Sequence, residues 1–187
     1  MFSAKFCHLV GDEHVPYDYG NIYFEQPCGD GFRLVIGPSA NHIEVLAELA
    51  AVFQQPWFIL YVLLVPRQGN REPGRYQSGP FETHSDFADF LQKFRDFFEG
   101  DGRHHIWVGT TTGNGLLVYD QHNVIFGYGP LDRFKRILAA RGFRESDFWF
   151  PSPHSHAFQP KYDVDEERLM SAIEWKYFPL QPGDEWD

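Results

Sequence analysis

The chain has 187 residues, 43% of them hydrophobic, which suits one domain with a sizeable core and excludes a disordered segment. Its formal net charge of −10 falls at the two ends, −5 over residues 1–66 and −6 over 142–187, around a middle of +1. That distribution excludes an exposed basic surface of the kind that neutralises phosphates, so no nucleic-acid partner is expected.

Nineteen Phe, nine Tyr and five Trp make the chain aromatic-rich, and the default role of such side chains is core filling. Two cysteines, Cys7 and Cys28, are too few for a disulfide framework and have no metal or redox spacing. Free thiols and a cytoplasmic setting are expected. Met1 to Val10 lacks the apolar run of a signal peptide, and the longest apolar run, Trp57 to Val65, is far short of the roughly 20 residues of a membrane span.

In chain order, Ile22 to Phe24 and Phe32 to Ile36 read as a hairpin around Pro27 and Gly29-Asp30-Gly31. Asn41 with Glu44 suggests a capped start for a helix over about 42–54, carried by Leu46, Leu49, Ala50 and Phe53 and ended by Pro56. Trp57 to Val65, apolar on both faces, reads as a central strand. Residues 67–80 hold three Gly, two Pro and three Arg, and read as a long exposed loop.

Phe87, Phe90, Leu91, Phe94, Phe97 and Phe98 give the clearest helical period in the chain, with Ser85 as the expected N-cap and Gly100 as the stop. His105 to Thr110, Leu116 to Tyr119 and Val124 to Tyr128 then form a meander, because the turns between them are short. Pro130 opens and Gly142 closes a further helix. Asp163 with Glu166 is expected to cap the last one, ahead of an acidic tail over 181–187. Strand, Gly-Pro and helix recur at Gly37-Pro38 and Gly129-Pro130, which local turn chemistry explains as well as duplication does. The expected fold is a single α+β domain, an antiparallel, meander-containing sheet packed against about four amphipathic helices.

Two constellations bear on function. The Pro153-His154-Ser155-His156 segment places two His at i and i+2, on one side of an extended chain, where they can share a metal. Asp120 and His122 have the same spacing and would add ligands for zinc or another divalent ion in a hydrolase, although Asp120 to Asn123 is also ordinary turn chemistry. Adjacent His104 and His105 face opposite ways on a strand and cannot chelate one ion. No nucleophile elbow or phosphate-binding loop is present.

The second constellation is the acidic C-terminal region, Asp163, Asp165, Glu167, Asp184, Glu185 and Trp186, suited to docking a basic protein partner. A small, acidic, aromatic-bearing chain without catalytic motifs has the physical profile of an immunity protein that neutralises a bacterial toxin. This non-catalytic binding role is the expected function from sequence, with the metal-dependent hydrolase as its alternative.

Overall fold

The computed structural model describes residues 4–67 and 71–184. Its strands are β1 (Phe6–Val10), β2 (Glu13–Pro16), β3 (Ile22–Cys28), β4 (Gly31–Gly37), β5 (Trp57–Leu63), β6 (Gly74–Ser78), β7 (His104–Thr110), β8 (Leu116–Tyr119), β9 (Ile125–Tyr128), β10 (Arg144–Glu145), β11 (His154–His156) and β12 (Trp175–Phe178). The helices are α1 (His42–Ala50), α2 (His84–Lys93), α3 (Arg95–Gly100), α4 (Leu131–Ala140) and α5 (Asp163–Ala172). Nine strands form the main sheet in the order β10-β3-β4-β9-β8-β7-β5-β6-β12, antiparallel except for β10 against β3. A second, three-stranded sheet has the order β11-β1-β2. The α+β architecture expected from sequence is therefore the one observed.

Period-two alternation sends the side chains of the central strands to two cores. Leu34, Ile36, Leu117, Tyr119 and Ile125 join the helices in the larger core, while Val35, Val118 and Phe126, which alternate with them, join Phe6 and Tyr19 in the smaller one. Phe6 belongs to β1, so the small sheet covers part of the main sheet on the side away from the helices. At about 1.5–3 kcal/mol per buried side chain, the six apolar residues from Phe87 to Phe98 contribute on the order of 10 kcal/mol before entropy is subtracted.

Several local expectations are corrected. The Phe-rich helix is two helices, because Phe94 leaves the helical region (φ −109°, ψ 13°), and its cap is Thr83, whose hydroxyl accepts from the Asp86 amide at 3.1 Å. Asn41 precedes α1 in the left-handed region and makes no side-chain cap; the Glu99 carboxylate takes the Ile43 amide instead, at 2.8 Å. That helix ends at Ala50, before Pro56 can act as its stop.

The proposed exposed loop over 67–80 also gives way. Its second half is β6, inserted between β5 and β12 with Tyr76 and Ser78 buried. Gly74 looks like a loop residue, yet a Cβ there would lie 2.3 Å from the Tyr177 ring of β12, so its smallness serves strand pairing. Glu166 does not cap α5; it turns inward to Arg67. In the expected acidic tail, Asp184 is buried against Arg75, while residues 185–187 lie outside the described residues.

Candidate metal centre

The β8–β9 turn and the small sheet meet at three histidines. Asn123, with φ 63°, lets the chain reverse within four residues. Asp120 holds that turn together: one carboxylate oxygen accepts from the His122 and Val124 amides, at 2.9 and 3.0 Å. The other accepts from His122 Nδ1 at 2.7 Å. Burial works to raise the Asp120 pKa, but His122 and the turn amides outweigh it and hold the group below its ordinary value. An ionised Asp120 fixes His122 with its proton on Nδ1 and leaves Nε2 as a lone-pair donor.

His154 and His156 stand on β11, paired across β1 with His8 and Phe6 respectively. The extended backbone puts both rings on the same side, as their spacing predicts. His154 Nδ1 lies 3.0 Å from the Pro151 carbonyl, to which it donates, so its Nε2 is again the free nitrogen. His156 Nε2 is buried with no hydrogen-bond partner. Burial, followed by the neighbouring His122 and His154, pushes the His156 pKa down to about 3, which keeps the ring neutral and its lone pair available.

One ring nitrogen from each of the three histidines lies within 4.8 Å of the other two. Three nitrogens on a tetrahedral ion at about 2.0–2.1 Å sit roughly 3.3 Å apart, inside that 4.8 Å bound. An orphaned buried imidazole nitrogen beside two oriented ones fits a zinc-like ion. Among the described residues this is the one group of three or more His, Cys, Asp or Glu side chains that meets this spacing.

The structure thus brings together His122, His154 and His156 and changes the part played by Asp120. Expected as a ligand, Asp120 has both oxygens occupied by the turn and by the His122 ring, in the position of a carboxylate that orients an imidazole. A feature that sequence reading missed is Phe6, fully buried, whose ring centroid lies 5.3 Å from His122 and His154 and 5.6 Å from His156. Only its β-strand context could have flagged it. His104 and His105 are buried and take no part in the trio, as their adjacency implies; His104 instead faces the ring of Phe97 at 4.7 Å.

The acidic residues expected to dock a partner are engaged within the chain. Asp163 receives Arg67 at 2.6 Å, Glu167 receives Arg71 at 2.9 Å, Asp165 receives Arg168 at 3.3 Å, and Asp184 receives Arg75 through both oxygens. Glu185 and Trp186 lie outside the described residues. No helix among the described residues is long and apolar enough to cross a membrane.

Comparison with known proteins adds no further constraint: no family model, no curated protein and no solved structure matches the chain.

Proposed function

We propose that the chain is a metalloprotein of the three-histidine type, with His122, His154 and His156 as ligands and hydrolysis as its reaction class. The observation that carries this reading is the convergence of three imidazoles from the main and the small sheet, two oriented by Nδ1 partners and the third with a buried Nε2 that has no hydrogen-bond partner. A buried polar atom without a hydrogen bond costs about 1–3 kcal/mol, and a ligand on His156 Nε2 would offset that cost. A divalent ion held there would supply Lewis acidity and an activated water for hydrolysis, with one coordination position left by the three protein ligands. The chain's own part is to set tautomers, exclude water behind Phe6 and keep the cradle neutral.

Docking of a basic partner on the acidic C-terminal region has weaker support, because the carboxylates available for it in the described residues already have arginine partners. The test is a zinc titration by calorimetry after chelator treatment. One ion per chain is expected for the native sequence, and none for the His154→Ala/His156→Ala double variant, which should stay folded because His154 is exposed and His156 lies in a short edge strand. A chelated protein that takes up no zinc, nickel or manganese would sink the reading. A pull-down that returned one basic protein, with affinity falling as salt rises, would favour docking instead.

A further inference from the structure

Resting on the metal reading above, we infer that this site accepts an aryl group next to the metal-binding function of its ligand. Its surroundings are unusually rich in rings. From Phe6 a chain of contacts runs to Tyr17 at 6.1 Å, on to Tyr19 at 4.8 Å, to Phe148 at 4.7 Å, to Phe150 at 5.3 Å, and back to His122 at 5.5 Å. The collar is closed on the inner side, where Phe6 is fully buried and Tyr19, also buried, donates to the His122 carbonyl at 3.2 Å. It is open on the outer side. Phe150 is 46% exposed and the adjoining Trp149 is 75% exposed, on the segment that leads directly into the histidine ligands.

Phe150, a large aromatic side chain half in water against the His122 ring, offers apolar area that a ligand would cover on binding, which adds to affinity. Phe150 sits at the lip, within ring-contact distance of a ligand histidine, so a group bound to the metal position and carrying a planar ring would lay that ring against Phe150. A short alkyl group in the same place would leave the lip uncovered.

The experiment compares two hydroxamates that bear the same metal-binding group, acetohydroxamate and benzohydroxamate, on the zinc-loaded full chain. Benzohydroxamate should bind about tenfold more tightly to the native protein, the gain expected from burying part of one ring. In the Trp149→Ala/Phe150→Ala variant that ratio should fall to near unity, while zinc stoichiometry and acetohydroxamate affinity hold, which separates a lost wall from a lost metal site. Equal affinities in the native protein, or a tenfold gap that survives the double substitution, would overturn the aryl site and leave the metal reading standing. Zinc uptake with no binding of either hydroxamate would overturn it too, and would also show that the ion has no open position.

Discussion

At the residue scale the structure's largest surprise is Arg67. It is buried, and its guanidinium meets three carboxylates: Asp163 at 2.6 Å, Asp101 at 2.9 Å, and Glu166. Burial raises the pKa of both Asp101 and Glu166, and Arg67 is the first influence that opposes it. Removing one partner of a buried ionic cluster leaves the others uncompensated, so Arg67→Ala should cost about 3–5 kcal/mol in urea denaturation at neutral pH. The deficit should shrink as pH falls and the orphaned carboxyls take up protons; a loss below about 1 kcal/mol would mean that water already screens the cluster. Nothing in the residues around 67 signals this, because its partners lie 34 to 99 positions away.

At the element scale, the turn before β8 and the end of β9 are held by a close backbone approach. Gly129 has φ +130°, a region that side chains avoid, and a Cβ there would lie 2.7 Å from the Asn114 carbonyl oxygen. Gly129→Ala should therefore lower stability by about 2 kcal/mol or more, read as a fall in Tm, since neither the backbone angle nor the facing carbonyl can yield cheaply. An unchanged Tm would show that the open end of the β8–β9 hairpin relaxes freely. The same scale explains the misread loop: alternation over Gly74 to Ser78 is real, but Gly, Arg, Gln and Ser carry no hydrophobic signal, and the strand forms because β5 and β12 offer it hydrogen-bonding edges.

At the scale of the whole molecule, several histidines are buried in neutral form. Burial, reinforced by Lys5, lowers the His42 pKa to about 4, although the Pro38 carbonyl, Asp18 and Asp120 pull the other way; His104 is lowered further in direction by burial. The sign follows from proton counting. Below the unfolded value of about 6.5 the unfolded chain binds more protons than the folded one, so stability falls as pH drops from about 6.5 towards 4. His42 alone accounts for a loss on the order of 3 kcal/mol across that window. Denaturation midpoints measured from pH 7 to pH 4.5 should decline, and decline less in His42→Phe. A decline as steep in His42→Phe as in the native chain would mean that His42 does not carry the effect.

The sequence by itself determined the α+β class, the meander, half of the twelve strands, the regions of the helices, and the same-side placement of His154 and His156, because these depend on periodicity and turn chemistry within short windows. It also placed Asp120 and His122 in a turn, the correct element, but not the engagement of both Asp120 oxygens by the turn amides and the His122 ring. Only the tertiary structure decided that this turn meets β11, since a three-stranded sheet built from residues 6–16 and 154–156 must first fold over the main sheet. Burial of Arg67, the arginine partners of the acidic C-terminal residues and the ring collar around the histidines have the same cause. Most of these contacts join residues about 30 to 110 positions apart, and local pattern carries no information about which distant side chain will fill a given space.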